Sequence, residues 1–315
     1  MKALVTGGAG FIGSHLTDAL LAGGNEVLVV DDLSSGRREN LAPAIAVGAV
    51  LEVADITDRE AMLDATGSFR PDAVFHLAAQ MDVRKSVADP AFDARINVAG
   101  TANVLESARR CGARRFVLAS TGGAIYGEGD GRTLPLDENQ PAMPLSPYGQ
   151  SKLAAEGYVG LYRRLYGLDG VSLRLGNVYG PRQDPYGEAG VVAIFCGKLE
   201  QGARPSVFGS GKQTRDYIYV ADVVNAMIAA GAATGPGSFN IGTGIETSVL
   251  DLVAALGEAT GTPDFEPDFE PARDGEVERI SIDPRLAGSA LAWRAETGLG
   301  TGLKLTFDAL TATAA

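Results

Sequence analysis

Histidine, cysteine and tryptophan are nearly missing from this chain: of 315 residues, two are His, two are Cys and one is Trp. Two histidines, His15 and His76, are too few for a histidine-built metal centre and leave a serine-hydrolase triad little to work with. Cys111 and Cys196 stand far apart, without the paired spacing of a metal knuckle, and read as reduced core thiols. Positive charge is also short. Lys and Arg number 27 against 39 Asp and Glu, a formal net charge of −12, which argues against holding nucleic acid or an anionic membrane by bulk electrostatics. An anionic ligand must therefore be met locally, by single arginines, lysines and backbone amides. No apolar run reaches the roughly 18 residues of a membrane span. Met1 leads straight into a strand-like Lys2-Ala3-Leu4-Val5, without the basic and apolar regions of a signal peptide, so the expectation is a cytoplasmic protein.

Apolar residues, at 45%, are enough for a packed α/β globule of this length. Ala3 to Thr6 reads as a short strand that runs into Gly7-Gly8-Ala9-Gly10-Phe11-Ile12-Gly13, after which Ser14 to Ala22 has helical spacing. In that setting Gly7 permits a tight turn, Gly10 lets the backbone approach a pyrophosphate, and Gly13 lets helix and strand pack closely. A second strand, Glu26 to Val30, ends at Asp31, where an acid accepts both ribose hydroxyls of an adenosine and repels a 2′-phosphate. NAD is the expected cofactor, with Arg37 and Arg38 as the feature that leans toward NADP. Val50 to Val53, Ala73 to Leu77 and Phe116 to Ala119 continue the strands; Asp55-Ile56 makes an adenine-side turn, and Ala78-Ala79-Gln80 lets a dinucleotide lie against a strand end. Phe92 to Cys111 and Tyr148 to Tyr166 are the long helices. This alternation predicts an α/β fold, a doubly wound parallel sheet of Rossmann type, over residues 1–170. From Val171 the elements shorten and mix, predicting a smaller mixed α/β C-terminal substrate lobe over 171–315, some of whose strands and helices cross back.

Tyr148 and Lys152 are four apart, one turn from each other on one side of a helix, so the ammonium can sit beside the phenol. Such a charge favours the phenolate by about one to three units and would make Tyr148 a usable base. Ser120 and Thr121, at the end of the fifth strand, are the hydroxyls available to assist it.

The motifs together resemble the extended short-chain dehydrogenase/reductase family, and within it the UDP-glucose 4-epimerase (UDP-galactose 4-epimerase) group. The markers are Thr6 to Gly13, Asp31 to Gly36, His76 to Gln80, Tyr148-x-x-x-Lys152, Arg174 to Pro181 and Arg215 to Asp222. The resemblance implies an isomerase in which Tyr148 is the base and Lys152 tunes it and bonds the nicotinamide ribose. It implies that Asp31, Asp32, Ser34, Ser35 and Gly36 line the adenosine ribose and Asp55 with Ile56 the adenine, while Leu77, Ala78, Ala79 and Gln80 flank the pyrophosphate and nicotinamide. Asn97 and Asn177 match polar positions near the nicotinamide and the substrate phosphates, and Arg215 and Arg273 match arginines that grip the diphosphate of a UDP-sugar. It further implies a homodimer built on the two long helices. No metal enters.

Two departures from the family pattern bear on chemistry. The helper Ser or Thr of relatives falls here on Gly122, so Thr121 is expected to take its place, with Ser120 in reserve. Dehydrating relatives carry an Asp-Glu pair just after that threonine; Gly122 and Gly123 offer no acid, which disfavours elimination. The position that narrows the sugar pocket in relatives counts to Ile280, small enough to admit UDP-N-acetylglucosamine beside UDP-glucose and UDP-galactose. UDP-glucuronate 4-epimerisation, or a reductase or dehydrogenase activity, is the alternative.

Overall fold

The computed structural model describes residues 1–185, 190–272 and 277–314. Thirteen strands are described: β1 Lys2–Thr6, β2 Glu26–Asp31, β3 Val50–Val53, β4 Ala73–His76, β5 Arg115–Thr121, β6 Asp169–Leu175, β7 Asn177–Tyr179, β8 Ser206–Phe208, β9 Thr214–Arg215, β10 Tyr217–Tyr219, β11 Gly237–Ile241, β12 Thr247–Ser248 and β13 Asp268–Glu270. The α-helices are α1 Phe11–Ala22, α2 Ala42–Ala46, α3 Arg59–Phe69, α4 Val83–Ala88, α5 Pro90–Ala94, α6 Thr101–Cys111, α7 Gly122–Ile125, α8 Pro147–Tyr166, α9 Val191–Glu200, α10 Val220–Ala232, α11 Val249–Thr260, α12 Arg285–Leu291 and α13 Leu299–Ala314.

Seven strands form one sheet in the order β11-β6-β5-β4-β1-β2-β3, every pair parallel. Strands that read as continuous apolar runs suit such a sheet, because helices cover both faces. Side chains alternate accordingly. Ala3, Val5, Val29 and Phe75 join the core shared with Leu16 of α1 and Met227 of α10. Leu4, Leu28, Val74 and Phe116 join the other, with Met62 of α3, Leu105 of α6 and Ala155 of α8. β1 lies between β2 and β4, so the order reverses there, and the carboxyl ends of β1 and β4 open onto the crevice where such sheets bind ligands.

The sheet runs across residue 170. β6 and β11 cross back into it and α10 packs on its face, so the remainder of 171–315 is left with short pieces. There β10 pairs with β7, β12 with β9 and β13 with β8. Tyr179, Phe195, Leu252, Leu256 and Leu303 give this lobe its own core, under α9, α11 and α13. Among the described residues no helix is long and apolar enough to cross a membrane.

One helix differs from expectation. The stretch Phe92 to Cys111 is three pieces, α5, a π-helical turn over Arg95–Gly100, and α6. Gly100 lies so close to Ile56 that a Cβ there would meet its Cδ1 at 2.7 Å. Asn97 lies within this π-turn, whose extra residue changes the direction of its side chains. The helices α3, α4, α12 and α13 stood outside the sequence reading; α3 begins at a cap, the Asp58 carboxylate accepting from the N–H of Glu60 and of Ala61.

Candidate active site

After β1 the chain turns on Gly7 at φ 71°, where a Cβ would stand 2.6 Å from the backbone nitrogen of Ala78. Gly13 faces the turn itself, and a Cβ there would meet the carbonyl oxygen of Gly7 at 2.1 Å. Gly10 is different: a Cβ would approach only Gly7 O, at 3.2 Å, so beyond it the side is open. Gly10 also caps α1 with no side-chain hydrogen bond. The first-turn N–H groups, Phe11 and Ile12 among them, therefore point into the crevice without intrahelical acceptors, an arrangement made for phosphate oxygens. Gly13→Ala is expected to cost about 2–3 kcal/mol through overpacking against a rigid carbonyl, read as a lower denaturation midpoint at unchanged slope. Stability equal to the parent's would mean the turn is not packed as described.

Asp31 ends β2 beside this turn. Its Oδ2 accepts from the N–H of Ala9 and its Oδ1 from that of Leu33, both at 2.9 Å, which aims the carboxylate while leaving lone pairs for a ribose. Burial raises its pKa and the backbone bonds oppose the rise. Gly36 closes over it, since a Cβ at Gly36 would stand 2.7 Å from Asp31 Oδ1. Asp32, Ser34 and Ser35 are exposed on the rim, Asp32 accepting from Ser34 Oγ at 2.6 Å. Arg37 is ion-paired to Asp184 at 2.5 Å, a commitment that weakens the case for a 2′-phosphate. Asp55 is exposed and holds Thr57 N–H, whereas Ile56 is buried. The acid at the end of β2, the open side of Gly10 and the uncapped start of α1 fit the adenosine diphosphate half of NAD.

Beyond β4, Leu77, Ala78 and Ala79 are half-buried and Gln80 is buried. The Gln80 and Asn97 side chains are spent inside the protein. Gln80 N–H donates to Asn97 Oδ1 at 2.9 Å, Asn97 Nδ2 donates to Gln80 O at 2.8 Å, and Gln80 Nε2 donates to Asp82 O and Asp93 Oδ1. What these two can offer a cofactor is a fixed wall. His76 is a core residue: its Nδ1 faces Thr6 Oγ1 at 2.6 Å and its Nε2 faces Thr101 Oγ1 at 2.9 Å, and burial followed by the Lys152 charge pushes it down to about 3.

Tyr148 opens α8, its backbone N–H on Ser86 Oγ at 3.2 Å and Ser146 capping the helix at Gly149 N–H. Lys152 is buried and donates to Ala119 O at 2.9 Å, which ties it to the end of β5. The expected electrostatics need correcting here. The phenol of Tyr148 is raised, not lowered, by burial first and by the charge of Asp93 second, and burial pushes Lys152 down to about 8 against the pull of Asp93 and Glu156. Desolvation of both groups outweighs the help that four-residue spacing promised.

The helper hydroxyl sorts itself by contact. Ser120 is buried and donates to Glu156 Oε1 at 2.6 Å, so it is spent. Thr121 is half-buried, and its Oγ1 and Asn177 Oδ1 both border the space over Gly123, at 4.0 and 3.4 Å from where a Cβ would stand. Gly122 has no such room: a Cβ would meet Ile282 Cδ1 at 2.7 Å. Asn177 starts β7 and Arg215 lies in β9, with its Nη1 on Thr214 O at 2.8 Å. Arg273 lies outside the described residues. Ile280 does not border an open pocket; it is buried with Tyr126, Leu136 and Ile282, so the room reasoned for an acetyl group is not supplied there.

Residues 3–242 match the model of a family described as NAD dependent epimerase/dehydratase. The chain belongs to that family. A protein of Mycolicibacterium smegmatis named UDP-glucose 4-epimerase is 47% identical over 310 residues, 98% of this chain and 98% of the relative. The crystal structure of UDP-glucose 4-epimerase with UDP-glucose from Thermotoga maritima is 45% identical and superposes at a TM-score of 0.95 over 100% of both chains. The UDP-glucose 4-epimerase of Thermus thermophilus, in a crystal structure of its complex with NAD, is 42% identical, with a TM-score of 0.91 over 99% of each chain.

In this epimerase/dehydratase chain three carboxylates near the site escaped the sequence reading. Glu156 takes Arg174 Nη2 at 2.8 Å and Ser120 Oγ, tying α8 to β6 and β5. It stands four residues past Lys152, so the Tyr148–Lys152 stripe was its signal. Asp216, read only as part of a motif, is buried and accepts from Thr243, Gly244 and Ile282 N–H groups, knitting the loops around Arg215. Asp93 stands four before Asn97, one turn away, and shares its partners.

Proposed function

We propose that this chain is an NAD-dependent 4-epimerase that interconverts UDP-glucose and UDP-galactose through a transient 4-keto sugar. The observation that carries the choice within an epimerase/dehydratase family is the glycine pair after Thr121. Neither Gly122 nor Gly123 carries an acid that could protonate and expel a hydroxyl, and an acid at Gly122 would first have to displace the Ile282 side chain. Full-length relatives named UDP-glucose 4-epimerase support the same reading.

The glycine turn, the start of α1, Asp31 and the wall from Leu77 to Gln80 would hold NAD, which when bound supplies a positively charged, reversible hydride acceptor. Tyr148 takes the proton of the sugar 4-hydroxyl and gives it back after the ketone is reduced. Thr121 shares that hydrogen bond, and Lys152, as an ammonium, stabilises the phenolate. Asn177, Arg215 and Arg273 hold the UDP, so that the sugar alone turns over; charge-assisted and forked contacts suit a diphosphate in an acidic protein. The reading includes a homodimer through the faces of the two long helices, supported by exposed Tyr158, Leu165 and Tyr166 on α8, and a cytoplasmic setting, supported by two free thiols.

Purified protein is expected to carry NAD and to convert UDP-galactose to UDP-glucose with no net change at the NADH absorbance, the isomers being resolved by chromatography. A stoichiometric absorbance change would point to a dehydrogenase, and a 6-deoxy product to a dehydratase; either would overturn the assignment. A single-protomer mass in solution would overturn the dimer.

A further inference from the structure

Asp93 lies in α5, fully buried, between the wall of the cofactor crevice and the helix that carries the base. Its Oδ1 accepts from Gln80 Nε2 at 2.9 Å and from Asn97 Nδ2 at 3.0 Å, so one oxygen secures both the loop beyond β4 and the π-helical turn. Its Oδ2 is buried with no hydrogen-bond partner. A buried carboxylate oxygen left so costs more free energy than a neutral polar atom in the same place, and its presence calls for a use. α5 and the π-helical turn pack directly on α8. Tyr148 and Lys152 both feel the charge across that contact, each held at a higher pKa by it although burial remains the larger influence.

We infer that Asp93 is a positioning residue of the epimerisation: Oδ1 locks Gln80 and Asn97 into the crevice wall, and the unpaired Oδ2 provides the buried negative charge that keeps Lys152 an ammonium while Tyr148 cycles its proton. The inference rests on the epimerase reading above. Of the other charges facing the pair, Glu156 also pulls Lys152 upward, but it is engaged by an arginine. His76 of β4 is neutral, pushed down to about 3. Glu156 of α8 is bound to Arg174 of β6 at 2.8 Å. Arg84 and Lys85 of α4, Asp89 ahead of α5 and Arg95 beyond it are exposed to water, and half-buried Asp82 is occupied capping α4.

The sign of the effect follows from the charge. Turnover needs the phenolate and the ammonium together, and the two limbs belong to the coupled pair; a nearby carboxylate moves the titration of both groups to higher pH. Asp93→Asn keeps an acceptor for Gln80 and Asn97 and removes the charge. Both limbs of the pH profile for UDP-galactose turnover are expected to move to lower pH, by about one unit, with NAD content unchanged. Heteronuclear NMR of the lysine amines, with the Lys152 resonance identified by its loss in Lys152→Met, should show Lys152 deprotonating at lower pH as well. Limbs and resonance that stay in place while the rate merely falls would overturn the inference. Should Asp93→Asn fail to fold, Asp93→Glu decides: it keeps the charge and shifts the two bonds, so limbs at the parent's pH with a lower maximum support the inference, and limbs moved to lower pH overturn it. Failure of the underlying reading looks different, because the parent protein itself would then show no epimerisation at any pH.

Discussion

Phenylalanine in place of Tyr148 is expected to cut the turnover of UDP-galactose by about a hundredfold or more, the range for losing a general base, while NAD stays bound and thermal stability is unchanged. The variant isolates the hydroxyl. Tyr148 is anchored by its backbone N–H on Ser86 and by the cap that Ser146 gives α8, and phenylalanine keeps both. It also spares the ring volume, so the buried Lys152 and its bond to Ala119 O are not disturbed. Burial and Asp93 hold the phenol above its ordinary range, and burial pushes Lys152 down to about 8. A loss in kcat with KM nearly constant would mark an interaction made in the transition state. Near-normal turnover in Tyr148→Phe would remove the base assignment, and with it the reason for placing the chemistry at the start of α8.

The parallel sheet and its glycine turn were legible because both rest on local rules. Apolar runs of four to seven residues between turn signals can only be buried strands or short buried helices, and glycines at Gly7 and Gly13 have backbone where a Cβ would be. The parallel, doubly wound arrangement followed from alternation, whereas the strand order, and with it the crevice at β1 and β4, is read only from the fold. Helix α13 went unread although Leu299, Leu303, Phe307 and Leu310 recur at helical spacing, because Gly300 and Gly302 among them are poor helix formers. At the site, chain position named candidates but not what their side chains do. The family pattern preferred Thr121 with Ser120 in reserve; only the fold shows that Ser120 is consumed by Glu156, 36 residues away. Gln80 and Asn97 read as cofactor ligands, and the Asn97 side chain bonds the backbone N–H and carbonyl of Gln80. Lys152 read as the group that lowers a phenol's pKa, an inference that assumed water around both. Desolvation is invisible in four-residue spacing, and here it decides the sign.

Removing the Glu156 carboxylate is expected to be the most destabilising single change near the site. The side chains of Arg174 and Glu156 are 10% and 6% exposed, and the guanidinium donates to both carboxylate oxygens while its Nη1 reaches the hydroxyl of Tyr126 at 2.8 Å. Burial opposes the charge on Arg174, but the Glu156 bonds outweigh it and hold that charge firmly in place. Glu156→Ala therefore strands a buried cation that cannot shed its proton, and leaves Ser120 and Ser238 without their acceptor. Breaking one side of such a pair costs about 3–5 kcal/mol, whereas replacing both sides by apolar residues of similar volume is close to neutral. The midpoint of thermal unfolding should fall by roughly 5–15 °C in Glu156→Ala, measured with saturating NAD so that cofactor linkage is constant. In the double variant Glu156→Met with Arg174→Leu, much of that loss should return, since the stranded charge is gone. Equal or greater loss in the double variant would mean that the network stabilises by its net bonding rather than by neutralising a buried charge. The outcome also reaches the chemistry. Glu156 joins the helix of Tyr148 and Lys152 to the strand that ends in Thr121, so a double variant that regains stability but not turnover would show that this ion pair sets the register between base and helper.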